Sequence, residues 1–110
     1  MNYNKNTYME DGSVWIHIMS EDCRSFLDLS FYSKEKHIMW VSNLNVERYA
    51  RKQGRGNLIL KYAFKLAKKL GCKYIYLEVK KGTFMFDWYS RLGFEPFSDE
   101  NNNIQMFKNL

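Results

Sequence analysis

The pattern that constrains this fold most is an amphipathic helix between two strand patterns. Over residues 56–70, apolar side chains recur at spacings of four, three and four, as on the buried face of a helix. These residues are Ile59, Ala63, Leu66 and Leu70. Strand patterns over Ile38–Val46 and Tyr74–Val79 flank the helix, and Gly71 stands where a helix-ending glycine is expected. A helix in this position lets the two strands pair in parallel, so we expect a crossover unit in a sheet.

Two further strands and a turn are predicted ahead of this unit. Val14–Met19 is a largely apolar run, which is typical of a strand covered on both faces. Phe26–Tyr32 alternates apolar and polar residues, which is the period of a half-buried strand. The polar run Ser20–Ser25 between them predicts a turn. In the third strand, the residues predicted to share one face are Ile38, Trp40, Leu44 and Val46.

The end of the chain predicts a second helix and a last strand. We expect a short helix over Phe84–Leu92, with Thr83 capping its start and Gly93 its end. Ser98–Asn103 is polar and predicts a loop, and Asn103–Lys108 predicts a strand.

Together these elements predict an α+β fold in a single domain over residues 1–110. Its sheet is mixed and mostly antiparallel, with about five to six strands and two helices. No metal site is expected, because Cys23 and Cys72 are not closely spaced. Residues 1–5 are polar and lack the apolar run of a signal peptide, and no stretch approaches about 18 apolar residues. We therefore expect a cytoplasmic protein with free thiols and no membrane contact.

A glycine-rich turn lies between the third strand and the first helix, at residues 51–56 (Arg-Lys-Gln-Gly-Arg-Gly). Glycines let the backbone approach a ligand and adopt positive φ, and the start of a helix presents unpaired N–H groups. Such a site suits an anion, usually a phosphate, and Arg51, Lys52 and Arg55 add positive charge. The turn is neither a P-loop nor a dinucleotide fingerprint, because it lacks their closing residues. A simple turn without a ligand is the alternative.

Two motifs in this order resemble those of the GNAT superfamily of N-acetyltransferases. Residues 51–56 resemble the family's Arg/Gln-x-x-Gly-x-Gly/Ala motif, which also follows a strand and opens a helix. Residues 89–94 (Tyr-Ser-Arg-Leu-Gly-Phe) resemble its second signature, Tyr-x-x-Leu-Gly-Phe. The resemblance covers about residues 38–97 and implies a GNAT-like fold, with acetyl-CoA as the cosubstrate.

The resemblance also implies where acetyl-CoA would bind. The cosubstrate would lie in a V-shaped gap between the strand that ends at Val46 and the strand that ends at Val79. Its pantetheine arm would pair with the backbone of residues 44–46, and its pyrophosphate would contact the N–H groups of residues 53–57. The residues expected to bind it are Leu44, Asn45, Val46, Arg51, Lys52, Gln53, Gly54, Arg55, Gly56 and Asn57.

The implied reaction transfers an acetyl group from the thioester to a primary amine. Tyr89 matches the family's usual acid, which protonates the departing thiolate, although a tyrosine packed in the core beside Phe94 is the alternative. A backbone N–H of residues 44–46 would stabilise the thioester oxygen. A base is also needed, because an amine of the lysine type has a pKa of about 10.4.

The base is less well defined by the sequence. Trp40 stands near the position where the family often has a glutamate. Glu78 and His37 are the catalytic candidates that remain, and a structural role is the alternative for each. His17 lies in an apolar strand and is predicted to be a core histidine whose ring has a hydrogen-bond partner.

Two departures from the family pattern concern the cofactor and the acceptor. Gly82 stands where an asparagine often helps to hold the cofactor. The residues ahead of Ser13 are too few for the two helices that normally wall the acceptor pocket. An open acceptor side would suit a protein lysine or N-terminus better than a buried small amine, unless the partner in a homodimer completes the pocket.

The alternative to an enzyme is a binding module that has lost its activity. Such a module would contact protein or, less favourably, nucleic acid, because no recognised nucleic-acid motif is present. The formal net charge of +5 suits a polyanion, and four lysines concentrate in the predicted helix. They are Lys61, Lys65, Lys68 and Lys69. A solvated helix face is the simpler interpretation of these lysines.

Overall fold

Seven strands and two helices make up the computed structural model, which describes residues 2–47, 51 and 53–110. In chain order the elements are β1 (Tyr3–Glu10), β2 (Ser13–Ser20), β3 (Ser25–Tyr32), β4 (Ile38–Val46), α1 (Arg55–Lys69), β5 (Tyr74–Lys80), α2 (Phe84–Arg91), β6 (Glu95–Glu100) and β7 (Asn103–Asn109). One sheet holds the strands in the order β1-β2-β3-β4-β5-β7-β6, and only β4 and β5 pair in parallel. The predicted α+β fold with a mixed, mostly antiparallel sheet is confirmed, with more strands than expected.

The two additional strands lie at the edges of the sheet. β1 pairs with all of β2 across a turn at Asp11 and Gly12, where φ is 49° and 78°. β6 pairs with β7 and begins before the polar stretch at 98–103, so the loop prediction there was wrong. The turn is confined to Asn101 and Asn102. Edge strands need not show the alternation of apolar and polar residues that predicts a strand, because backbone hydrogen bonds stabilise them whichever side chains they carry.

All the buried strand residues point to one face of the sheet. They are Ile16, Ile18, Ser20, Ser25, Leu27, Leu29, Met39, Val41, Ile75, Leu77, Val79 and Met106. Both helices pack on this side, which we call the helical face. Phe94 joins them, because its ring lies 5.9 Å from Phe64 of α1 and 5.4 Å from Tyr89 of α2. No helix among the described residues covers the opposite side, which we call the open face.

This one-sided core corrects two expectations. The strand predicted over 14–19 is not covered on both faces, because only its even-numbered residues Ile16 and Ile18 are buried. In α1 the buried residues are Ile59, Leu60, Ala63 and Ala67. Leu70, predicted in the buried stripe, is 49% exposed, because it is the C-cap that follows the last helical residue, Lys69.

Candidate active site

β4 and β5 separate beyond their first residues and leave a gap in the sheet. They pair only from Ile38 with Tyr74 to Trp40 with Tyr76. Among the described residues, no other strand fills the space between the remainders of β4 and β5. The backbone of the second half of β4 therefore has no ladder partner on this side and can pair with an extended ligand.

A β-bulge shapes the part of β4 that borders this gap. Asn43 and Leu44 together stand opposite Leu27 of β3, so β4 carries one extra residue. Asn43 has a φ of 55°, and its amide donates a hydrogen bond of 2.9 Å to Oδ2 of Asp28. An amide that bonds locally suits this left-handed conformation.

The bulge overturns the predicted face of β4. One extra residue reverses the alternation of side chains, because the period of a strand is two. Ile38 and Trp40 therefore lie on the open face, whereas Leu44 packs against the core and Val46 pairs with the buried Ser25. The prediction that these four residues of β4 share one face was wrong for this reason.

A cavity of about 670 Å³ lies between the second half of β4 and the start of α1. The predicted cosubstrate-binding residues that line it are Leu44, Asn45, Val46, Arg51, Gly54, Arg55, Gly56 and Asn57. Gln53 is exposed beside it, and its Oε1 accepts a hydrogen bond of 3.3 Å from Nε of Arg55. Lys52 falls outside the described residues. The fold thus brings eight of the ten predicted residues to one cavity.

The start of α1 has the features of an anion site. Gly54 is the N-cap, with a φ of 71° and no side-chain cap. The N–H of Leu58 donates to the carbonyl of Gly54 at 3.0 Å, so the N–H groups of Gly56 and Asn57 precede the ladder of the helix. No acidic residue lies in the first turn. N–H groups and the positive end of the helix dipole therefore lie beside the cavity.

Helix α2 forms a wall of this cavity that the sequence analysis missed. Phe84, Met85 and Trp88 line it. A Cβ on Gly56 would lie 3.2 Å from the ring of Trp88, so this glycine lets the two helices approach. The available signal was the helical spacing, which places residues 85 and 88 on the same side as the motif tyrosine at 89.

The Arg55 side chain pairs with the turn between β2 and β3. Its Nη2 lies 2.6 Å from Oδ2 of Asp22, and its side chain is only 12% exposed. The Ser20 hydroxyl and the Arg24 N–H donate to Oδ1 of Asp22 at 2.7 and 3.1 Å. The hydrogen bond from Arg55, followed by that from Ser20, lowers the pKa of Asp22 well below its usual range. The Arg55 guanidinium thus balances a carboxylate, rather than adding a net charge as expected.

The same turn holds the residue that follows β4. The N–H of Glu47 donates to the carbonyl of Arg24 at 2.7 Å, and Nε of Arg24 lies 3.7 Å from Oε2 of Glu47. The turn between β2 and β3 therefore contacts both Glu47, through Arg24, and Arg55, through Asp22.

A second cavity of about 290 Å³ lies in the gap and brings Tyr89 together with Glu78. Tyr89 is 5% exposed, and burial raises its pKa to about 12. Glu78 is exposed on the open face, and its Oε2 accepts a hydrogen bond of 3.4 Å from Gln105. The Ser42 hydroxyl also borders the gap, and it is buried without a hydrogen-bond partner among the described residues. A protonated phenol, a carboxylate and an unpaired hydroxyl thus meet in one opening.

The sequence model of the family described as "Acetyltransferase (GNAT) family" matches residues 4–94. This chain belongs to the GNAT family. The match includes both motifs, the six elements from β2 to α2 and all of β1 except Tyr3. No curated protein matches the chain in sequence.

Solved GNAT structures share this fold. An Elizabethkingia anophelis acetyltransferase with acetyl-CoA bound has a TM-score of 0.71 and 14% identity over 99% of both chains. A Bacillus subtilis acetyltransferase in complex with CoA has a TM-score of 0.72 and 14% identity, also over 99% of both. An N-acetyltransferase from Thermoplasma acidophilum in complex with coenzyme A has a TM-score of 0.75 and 18% identity, over 90% of this chain and 62% of that one. At such identities the likeness concerns the fold.

The two histidines lie away from the centre of this GNAT site. His37 precedes the first paired residue of β4, at the opposite end of the strand from the gap, and its Nε2 is 3.9 Å from Glu35. The structure therefore does not bring it together with Tyr89. Nδ1 of His17 lies 2.7 Å from Oδ1 of Asp28, so the ring has a hydrogen-bond partner, as expected. It is on the open face and 31% exposed, so its predicted place in the core was wrong.

Two further properties of the described residues concern metals and membranes. In residues 2–47, 51 and 53–110, no group of three or more histidine, cysteine or acidic side chains could hold a metal ion. Cys23 is exposed and Cys72 is buried, and both are free. Neither helix has the length and apolar content to cross a bilayer.

Proposed function

We propose that this protein transfers an acetyl group from acetyl-CoA to a primary amine. The observation that carries the proposal is the continuity of its two cavities. Leu44 and Met85 line both the cavity at the start of α1 and the cavity in the gap. A pyrophosphate at the start of α1 would thus be followed by a pantetheine arm that leads to Tyr89. Acetyl-CoA and CoA in the named relatives support this assignment.

The residues present suit acetyl-CoA along its length. The N–H groups of residues 54–57 and the guanidinium of Arg51 would hold the pyrophosphate. The unpaired backbone of residues 44–46 would pair with the pantetheine amides like an added strand. Apolar surface from Met85 and Trp88 would cover the methylene groups of the arm.

The chemistry follows from the groups in the gap. The amine nitrogen attacks the thioester carbonyl carbon, the carbon–sulfur bond breaks, and an amide forms. Tyr89, whose phenol is protonated at neutral pH, donates its proton to the departing thiolate and regains one from the nitrogen as the amide forms. Glu78 accepts the proton that the ammonium must lose. An N–H of the bulged segment 44–46 stabilises the charge that develops on the carbonyl oxygen.

Calorimetry with acetyl-CoA and with CoA tests the proposed function first. We expect both to bind with micromolar affinity, and acetyl-pantetheine, which lacks the pyrophosphate, to bind much more weakly. Release of CoA thiol in the presence of an amine panel then tests the transfer. Absence of acetyl-CoA binding to the folded protein would contradict the proposal.

The proposed acceptor is a lysine side chain or an N-terminus of a polypeptide. The gap opens at Glu78 onto the open face, which no described helix walls off. Transfer to small amines such as polyamines, with none to any polypeptide, would contradict this acceptor. The proposed unit of function is one domain over residues 1–110, acting in the cytoplasm.

Replacement of Asp22 by asparagine is expected to weaken CoA binding about fivefold, because Arg55 would lose the charge that fixes the start of α1. Binding of acetyl-pantetheine should not change, since it has no pyrophosphate. Asp99→Asn, which removes an exposed pair with Lys81 elsewhere, serves as the control. Equal affinities of the Asp22 variant and the wild type for CoA would contradict the role of this pair.

The Asp22 ion pair also has a defined pH dependence. The pKa of Asp22 is lowered on folding, so the ion pair stabilises the fold above the ordinary pKa of about 4 and its contribution is lost as the pH falls. Thermal unfolding should therefore show the Asp22→Asn variant less stable than the wild type at neutral pH. The difference should shrink in acid, and a difference that persists unchanged in acid would contradict this account.

A further inference from the structure

Aromatic side chains cross the open face in one row. Six residues, each directly opposite the next on the neighbouring strand, form this row, which we call the aromatic row. All but one of them are aromatic, and they are Tyr8, Trp15, Ser30, Trp40, Tyr76 and Phe107. Phe97 of β6 extends it, with ring distances of 5.1 Å to Tyr76 and 5.9 Å to Phe107. Ser30 leaves a dip between the indoles of Trp15 and Trp40. Each ring keeps some exposed surface, because no described element packs over it.

The open face is acidic, although the whole chain has a formal net charge of +5. The acidic residues at its strand positions are Glu10, Asp28, Glu78, Glu95 and Glu100. Lys80 is the one lysine or arginine at these positions among the described strands. The lysines of α1 lie on the other side of the sheet. Charge is thus separated between the two sides, and the aromatic row lies on the negative one.

We propose that the open face docks a basic polypeptide segment. Carboxylates attract its lysine and arginine side chains, and cations pack favourably on the faces of tryptophan and tyrosine rings. A nucleic acid is disfavoured here, because its phosphates would meet the same carboxylates. A second copy of this chain is disfavoured as well, since it would bring a second acidic face to the first.

The position of the gap connects docking with acetyl transfer. Trp40 and Tyr76 belong to the aromatic row and are also the last paired residues before β4 and β5 separate. Glu78 follows Tyr76 by two residues on the same face, at the opening of the gap. A segment along the row would therefore pass this opening and place a lysine amine beside Glu78. This last step rests on the proposed function, whereas docking itself does not.

The dimensions of the sheet suit such a segment. Seven strands about 4.8 Å apart span about 29 Å, which equals about nine residues of an extended chain at about 3.3 Å each. The docked segment would run across the strands, over the row, rather than along an edge. A short peptide is therefore long enough to test the proposal.

Calorimetry without acetyl-CoA tests docking directly. The probes are an N-terminally acetylated peptide of alternating lysine and alanine, its glutamate counterpart and a single-stranded oligonucleotide. Of these three probes, we expect only the lysine peptide to bind the open face. Glu95→Lys/Glu100→Lys should weaken its binding about tenfold. The control pair Asp87→Lys/Asp99→Lys changes the net charge equally but lies on α2 and on the helical side of β6. Equal weakening by both pairs would overturn the proposal.

Steady-state kinetics provide the second readout. Trp15 lies two strands from the gap, so Trp15→Ser should raise KM for the lysine peptide and leave kcat and KM for acetyl-CoA unchanged. An unchanged KM for the peptide would count against docking on the aromatic row. Failure of the wild type to bind acetyl-CoA, with peptide binding intact, would remove the proposed enzyme and leave the docking face. Loss of peptide docking, with acetyl transfer to small amines intact, would remove the docking face and leave the proposed enzyme.

Discussion

The Gly56→Trp variant is expected to bind CoA at least about a hundredfold more weakly than the wild type, because charge-assisted hydrogen bonds contribute about 1.5–3 kcal/mol each and several would be lost. A Cβ at this position would already lie 3.2 Å from the Trp88 ring. A larger side chain must therefore displace Trp88 or fill the cavity at the start of α1. Calorimetry with CoA measures the loss, and circular dichroism shows whether the fold is retained.

Lys61→Trp is the matched control for this prediction. Lys61 is exposed on the same helix and does not line either cavity, so an indole there should leave CoA affinity unchanged. If Gly56→Trp bound CoA as the wild type does, the pyrophosphate would have to lie elsewhere. Loss of binding in both variants would indicate that added bulk disturbs α1 as a whole.

Tyr89→Phe is expected to lower kcat about a hundredfold or more, which is the range for loss of a general acid. The substitution removes one oxygen and keeps the ring that packs on Phe94 at 5.4 Å, so KM for acetyl-CoA should change little. Because burial raises the pKa of Tyr89 to about 12, its ionisation should not limit the rate between neutral pH and about pH 11. Steady-state kinetics over this pH range measure both effects.

Tyr62→Phe removes the same oxygen at a distance from the gap. Tyr62 lies on α1 and packs on Tyr3, with ring centroids 4.8 Å apart, so its loss should not affect kcat. A Tyr89→Phe variant with the kcat of the wild type would show that Tyr89 only fills the core beside Phe94. In that case water would be the source of the proton for the thiolate.

The helices could be predicted closely from local patterns. The prediction for α1 differs from the structure by one residue at each end, and that for α2 by one residue at its end. Gly71 and Gly93, with φ of 89° and 97°, follow the two helices as expected. Helix period and positive φ are properties of neighbouring residues, so they are visible in the sequence.

The edge strands, the bulge and the partner of Arg55 could not be predicted in this way. β1 has a polar sequence, and its strand conformation comes from pairing with β2. The extra residue in β4 is visible only in the register with β3. Asp22 reaches Arg55 because the turn between β2 and β3 lies beside the start of α1, which depends on how the sheet and the helix pack.

The sequence by itself determined the order of the central elements, the family and the position of the glycine-rich turn, because these depend on contiguous residues. Only the tertiary structure decided which side chains wall the site and which side of the sheet stays open. Phe84, Met85 and Trp88 reach the cavity through the packing of α2 on α1. A strand alternates its side chains whatever covers it, and here both helices lie on one face. The aromatic row is therefore left on the other face, where a partner can reach it.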